Sequence, residues 1–248
     1  MKIPLLDLFF PLKCAGCAQP LRDSEPLFCA SCQDRTRPVS SPLCPACGDP
    51  LGVGSQRDSL CGDCLTEHRP FRLSRSLFLY EGPVREAIHR LKYQKGENVA
   101  PALAVAMKGF LSQDGTMGAF DVVVPIPLHP HRLRERRFNP AQLLARAISR
   151  GLNVPCDPHS LQRVRETLPQ VELPRRQRLQ NVKGAFKVAS KGCFRGRRVL
   201  LIDDVWTTGA TSQACARAIR QGGAVSVDVL TLARSAPDFL TPPNLPLF

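Results

Sequence analysis

Eight of the eleven cysteines fall within the first 64 residues, and all eight stand in Cys-x-x-Cys pairs: Cys14 and Cys17, Cys29 and Cys32, Cys44 and Cys47, Cys61 and Cys64. Two intervening residues let both thiolates point inward from one tight turn, and two such knuckles supply the four sulfurs of a tetrahedral zinc ion. Eight sulfurs therefore make two sites. Sequential pairing puts Cys14, Cys17, Cys29 and Cys32 on one ion and Cys44, Cys47, Cys61 and Cys64 on the other. The intervals of 11 and 13 residues between pairs suit a small ribbon. Interleaved, cross-braced pairing is the alternative. Gly48 and Gly62 permit unusual backbone angles beside the metal. Four protein ligands leave no open position, so both ions should be structural, with a role in recognition or docking. Cys156, Cys193 and Cys215 stand alone and read as small core residues.

A disulfide scaffold would require export. Residues 1–12 are largely apolar, but Pro4, Asp7 and Pro11 interrupt them, Lys2 is the one lysine at their start and no small-residue cleavage site closes them. We expect this segment to pack on the ribbon or the main core. No apolar run approaches the ~18 residues of a membrane-spanning helix. The expectation is a cytoplasmic protein with reduced thiols and no membrane insertion.

At 248 residues and 43% apolar content, the chain can bury one ordinary core beside a smaller unit. We place a cysteine module at residues 1–70, a main domain at 71–236 and a proline-rich tail at 237–248. The net charge of +13 is concentrated. Residues 129–137 carry Arg132, Arg134, Arg136 and Arg137 against Glu135, and residues 163–198 carry eleven Lys or Arg against Glu166 and Glu172. Such a surface meets a polyanion, either nucleic acid or a highly phosphorylated ligand.

From about residue 77 the chain alternates short β-rich runs with helical stretches, which predicts an α/β fold: a parallel sheet flanked by helices. The clearest strands are residues 121–125, 199–203 and 225–232. Asn139 is a helix N-cap, Pro140 suits the first helical position, residues 141–150 carry the helix and Gly151 ends it. A second helix over 211–221 stops at Gly222 and Gly223. Ligands of such sheets bind beyond the carboxyl ends of the strands, so the chemistry belongs just after Pro125 and Asp203.

Residues 199–211 read Val-Leu-Leu-Ile-Asp-Asp-Val-Trp-Thr-Thr-Gly-Ala-Thr. An apolar strand leads through two acids into a small-residue loop and a helix. Thr207, Thr208, Gly209, Ala210 and Thr211 offer backbone amides and hydroxyls where the helix dipole favours a phosphate. Asp203 and Asp204 suit sugar hydroxyls, so the loop reads as a ribose 5-phosphate cradle. Upstream, residues 121–128 lead into His129, His131 and the arginine cluster.

The 199–211 string resembles the phosphoribosyl-pyrophosphate (PRPP) motif of type I phosphoribosyltransferases. That resemblance implies PRPP on Asp203, Asp204 and residues 207–211, and Mg²⁺ accompanying it. It also implies a pyrophosphate loop of Pro127, Leu128, His129, Arg132, Arg134 and Arg136, and a flexible loop carrying Arg165, Thr167 and Gln170. A wider set resembles the ComF/GntX family over nearly the whole chain: the cysteine ribbons, Leu91-Lys92-Tyr93, Pro125-Ile126-Pro127-Leu128-His129, Arg136-Arg137-Phe138-Asn139, Asn181-x-x-Gly184-x-Phe186 and the acidic loop. Membership implies a type I phosphoribosyltransferase-like sheet behind a double zinc ribbon. It also implies a part in competence or DNA use, either as an enzyme transferring phosphoribosyl to an unnamed acceptor or as a PRPP-sensing module. Single-stranded DNA or a DNA-uptake helicase or translocase would be the partner. Phe71, Phe78, Tyr80, Tyr93 and Phe138 are the aromatics available for base stacking. Two positions depart from the family pattern: Arg137 stands where a glycine is usual, and Trp206 where another apolar or aromatic residue is usual.

Overall fold

A computed structural model describes residues 13–22, 27–52, 54–56, 58–93, 96–167 and 175–237. The leading segment 1–12, Gln170 and the tail from 238 onward lie outside the described residues.

Between Lys13 and Thr66 the chain builds the same small unit twice. An antiparallel bridge joins Lys13 to Pro20, another joins Leu43 to Pro50, and each encloses a Cys-x-x-Cys turn. Each unit closes on a short helix that begins at its third cysteine, α1 Ala30–Gln33 after Cys29 and α2 Gly62–Thr66 after Cys61.

The main sheet follows. Strand β1 is Leu73–Leu79, helix α3 Gly82–Tyr93, α4 Gly96–Asp114 and β2 Val122–Pro125. Helices α5 Pro130–Arg136 and α6 Pro140–Leu152 lead to β3 Leu161–Arg163, then α7 Arg175–Asn181 and β4 Phe186–Val188. Strand β5 Arg198–Trp206, helix α8 Ala210–Gln221 and β6 Ser226–Arg234 complete the described chain. The sheet order is β1-β6-β5-β2, all parallel, and β3 with β4 forms a separate antiparallel pair. Residues 155–157 extend the β2 edge through Val123 N–H to Pro155 O at 2.9 Å and Asp157 N–H to Val123 O at 2.9 Å.

Strand alternation divides the core into two faces. On one, Val123, Leu200, Ile202 and Leu230 meet helices α3, α4 and α6. On the other, Val122, Val124, Val199, Leu201, Val227 and Val229 meet α8, Phe186 and Phe194. Valines and leucines buried on both faces of a parallel sheet contribute about 1.5–3 kcal/mol each, so these runs fix strand direction and register together.

The expected elements are present with shifted ends. The 199–203 strand runs on through Trp206, which puts Asp204 as well as Asp203 inside the strand. Helix α6 continues past Gly151 to Leu152 and is capped by Asn153 in the left-handed conformation. Asn139 caps its start, accepting from Ala141 N–H at 3.1 Å, with Pro140 at the first helical position.

Candidate functional site: an acidic strand end, a phosphate-type loop and two sulfur clusters

The four sulfurs of Cys14, Cys17, Cys29 and Cys32 lie within 4.8 Å of one another, as do those of Cys44, Cys47, Cys61 and Cys64. Tetrahedral zinc with bonds of ~2.3 Å spaces its sulfurs by about 3.8 Å. The gaps of 3.6 Å from Cys17 to Cys29 and 3.4 Å from Cys47 to Cys61 fit that geometry. Pairing is therefore sequential, and both sites fit structural zinc. A cation backs each cluster: Arg35 Nη2 lies 3.5 Å from Cys32 Sγ and Arg69 Nε 3.4 Å from Cys64 Sγ.

The surroundings of the two clusters differ. Cys14, Ala15, Leu27, Phe28 and Cys32 join the core face of α3 and α4. Cys44 and Cys47 join the opposite face. There Ser74 N–H donates to Ala46 O at 2.8 Å, and Arg234 Nη1 donates to Cys47 O at 3.1 Å. Arg234 also pairs with Asp49.

Strand β5 carries the acids. Asp204 turns to the first face, where its Oδ2 lies 3.2 Å from Lys92 Nζ at the end of α3. Burial alone would lower the Lys92 pKa, but the Asp204 carboxylate outweighs it and holds the ammonium above its ordinary value. Asp203 turns to the second face, within the electrostatic reach of Arg163 and of buried Cys215. Burial first, and then the Asp204 charge, push Asp203 up to about 7. Sequence reasoning assigned neither cation to the acidic pair. Lys92 stood within a quoted motif, Leu91-Lys92-Tyr93, which was the available signal. Arg163 stood two residues ahead of Arg165.

Beyond Trp206 the chain turns through Thr207 and Thr208 to Gly209, the N-cap of α8. Gly209 has φ +74°, and a Cβ there would lie 2.2 Å from Trp206 Cζ2, so the residue must be glycine for both conformation and space. Gly209 itself brings no side chain to cap this helix start. Thr207, Thr208, Gly209, Ala210 and Thr211 thus surround a helix N-terminus at the carboxyl end of β5, with Thr208 Oγ1 3.5 Å from Ala210 N.

Strand β2 lies beside β5, and Ile126 N–H donates to Ile202 O at 2.9 Å. Pro127, Leu128 and His129 therefore leave the sheet next to Asp203. Asn139 Nδ2 pins this exit by donating to Ile126 O at 2.9 Å. His129 accepts from His131 N–H at the start of α5, and Arg137 ends that helix with φ +67°. The position that usually holds glycine keeps its left-handed backbone with an arginine. Arg136 donates to Tyr93 Oη at 3.1 Å and stacks over its ring. Arg132 is within electrostatic reach of Arg163 and 3.5 Å from Glu135. Arg134 is exposed.

From the expected flexible loop, Arg165 turns to the carbonyls of Asn181 and Lys183, both at 2.8 Å, and Thr167 bonds Arg163. Among the aromatics proposed for stacking, Tyr93 is 63% exposed, whereas Phe71 is buried edge-on against Trp206.

Fold and site together define an α/β protein with an open parallel sheet, an acidic strand end leading into a small-residue helix start, and paired four-cysteine ribbons in front. The double zinc ribbon family model matches residues 5–65. DNA utilization protein YhgH of Escherichia coli (strain K12) is 33% identical over 178 residues, 71% of this chain and 78% of that protein. Competence protein F of Haemophilus influenzae is 32% identical over 180 residues, again 71% and 78%. The chain belongs to the ComF/GntX family. A solved glutamine PRPP amidotransferase from B. subtilis, in complex with ADP and GMP, aligns at TM-score 0.37 and 22% identity over 55% of this chain and 27% of that one. An overlap of that size says nothing of activity.

Proposed function

We propose that this protein binds PRPP with Mg²⁺ at the carboxyl end of β5, as a cytoplasmic member of the competence and DNA-utilisation group. The observation that carries the reading is the delivery of Asp203 and Asp204 to the glycine-led start of α8. The 5-phosphate would take the amides and hydroxyls of residues 207–211. Asp203 and Asp204 would accept from the ribose hydroxyls. Mg²⁺ would bridge hydroxyl and diphosphate oxygens and offset charge there. A buried carboxyl held up to about 7 is a group short of positive charge, so the acidic pair suits a cation-bound ligand. Pro127, Leu128 and His129 would face the diphosphate, with Arg132, Arg134 and Arg136 as cations for the departing pyrophosphate and Arg165, Thr167 and Gln170 on the closing segment. Transfer to an acceptor would need no side-chain nucleophile, only positioning and charge stabilisation. Calorimetric titration of PRPP and Mg²⁺ into the zinc-loaded protein tests this, beside an Asp203→Asn, Asp204→Asn double variant and a pyrophosphate-release assay. Saturable binding lost in the variant supports the site, release supports an enzyme, and no binding by the folded protein removes the reading.

A second reading, a sensing module that holds single-stranded DNA or a DNA-translocating partner, draws on one observation. Two adjoining cavities of about 650 and 570 Å³ run along α8 and share His68, Arg217 and Gln221. Arg72 and Arg220 line the second, and buried Gln213 leaves its Nε2 without a partner beside the first. Binding of an oligonucleotide there should weaken with salt at a log-log slope of about −0.7 per phosphate neutralised. A salt-independent affinity would exclude it.

A further inference from the structure

We infer that the second four-cysteine site sets the geometry of the residue 207–211 loop through Arg234 and Trp206, and that the first site does not. The contact chain is short and buried. Cys47 O, the backbone carbonyl of a residue in the second sulfur cluster, accepts from Arg234 Nη1 at 3.1 Å. Arg234 is 2% exposed, is held on its other side by Asp49, and lies over the Trp206 ring at 6.0 Å. Trp206 is 4% exposed and is clamped edge-on by Phe71 at 5.7 Å. Its six-membered ring occupies the space that a Cβ on Gly209 would need, 2.2 Å from Cζ2 and 2.7 Å from Cη2. The indole is thus the floor of the loop, and the ribbon knuckle is the wall that holds the indole.

The backbone supports the same route. Trp206 and Arg234 are register partners at the end of the β5–β6 ladder, and Ser235 N–H donates to Trp206 O at 2.9 Å. Gly48, next to Cys47, would place a Cβ 2.6 Å from Ser74 O and 3.6 Å from Arg234 Nη1, so the knuckle packs on β1 and Arg234 without slack. Close-packed interiors move between discrete arrangements instead of deforming gradually, so a loosened knuckle changes what Arg234 and Trp206 can occupy. Zinc binding of this kind is coupled to local folding: four thiolates without their ion repel or protonate and the turn loses its constraint. Among the described residues the first site shows no such route. Gly16 in its turn abuts Pro83 at the start of α3, on the other face of the sheet.

Arg234 and Trp206 are in this account positioning residues, and Trp206 reports on itself as the single tryptophan of the chain. The test uses the full chain with both ions. A Cys29→Ser variant loses the first ion, which a chromogenic zinc assay counts, and its Trp206 emission should match the parent. Chelation of that one-ion protein then empties the second site alone. Emission should shift to the red as water reaches the indole, and zinc re-addition should restore it, which separates loosening from irreversible unfolding. Second-site release without an emission change, or an equal change from Cys29→Ser itself, would overturn the inference. Arg234→Met should keep its zinc yet lose the chelator response, and Asp49→Asn gives a milder break of the same link if Arg234→Met fails to fold. A ligand arm rests on the PRPP reading above. Affinity for PRPP with Mg²⁺ should fall about tenfold or more on second-site release and less than about twofold in Cys29→Ser. If the intact protein binds no PRPP, that reading falls, while the fluorescence arm still decides the coupling.

Discussion

The two cysteine turns of this protein have nearly the same backbone and different tolerances. In the first, Ala18 follows Cys17 with φ +62°, and its N–H donates to Cys14 O at 2.9 Å. In the second, Gly48 follows Cys47 with φ +67°, and its N–H donates to Cys44 O at 2.8 Å. The turn asks both residues for a left-handed conformation, which costs a non-glycine residue on the order of 1 kcal/mol. Ala18 is half-buried and accepts that cost, whereas a side chain on Gly48 would strike the carbonyl of Ser74. The difference teaches that the metal sets the turn, and the surface against which it packs sets the residue.

The sharpest way to break this comparison is to exchange the two residues. Gly48→Ala should destabilise the fold by about 3 kcal/mol or more, combining backbone strain with a clash that the rigid β1 backbone cannot relieve. Ala18→Gly should stay within about 1 kcal/mol of the parent in the same urea titration. Equal losses would mean that packing against β1 contributes nothing.

The arginines that back the turns give the next largest contrast. Arg234→Met leaves Asp49 and Cys47 O without their buried donor and should cost about 2–4 kcal/mol. Arg35→Met removes a contact made to Cys32 Sγ by an exposed residue and should cost about 0.5 kcal/mol. Thermal melts of the zinc-loaded proteins measure both.

A third contrast uses pH on the face that the second ribbon supports. Asp203 is raised to about 7 from its ordinary carboxylate value, so the folded state binds its proton more tightly than the unfolded chain. The stability it contributes is full below about pH 4 and is lost as pH rises through about 7. Asp203→Asn should therefore do nothing at pH 4 and stabilise the protein at pH 8 by on the order of 2 kcal/mol. That is about half of what the full shift would represent, a discount for a residue that as a whole is only half-buried. A gain that is the same at both pH values would contradict the assignment. The smallest expected effect is at Arg137, whose φ of +67° should yield up to about 1 kcal/mol of added stability on change to glycine, measured by the same titration.

Much of the fold was legible because its signals are local. Asn139 and Pro140 mark a helix start by cap chemistry, and the 199–211 string marks a strand and helix by composition alone. The cysteine spacing announced two sites but not their partition, since sequential and interleaved pairings use the same turns. The roles of Lys92 and Arg163 were not legible. Each meets an acid more than 35 residues away in sequence, Lys92 with Asp204 and Arg163 with Asp203. Only the stacking of α3 and β3 on opposite faces of β5 brings them there.

The sequence by itself determined the parallel α/β fold, the eight thiolates and the acidic loop, because periodicity, metal-ligand spacing and helix-start chemistry act over a few residues. The tertiary structure decided which faces those parts share. Up to Ile202 the β5 side chains alternate strictly between the faces, but Val205 then packs with the first face and Trp206 with the second. That turn of the strand end is what directs Trp206 and Arg234 toward Cys47. It depends on how three strands, a ribbon knuckle and Phe71 share one space, and no local pattern encodes a packing contact made between residues 47 and 234.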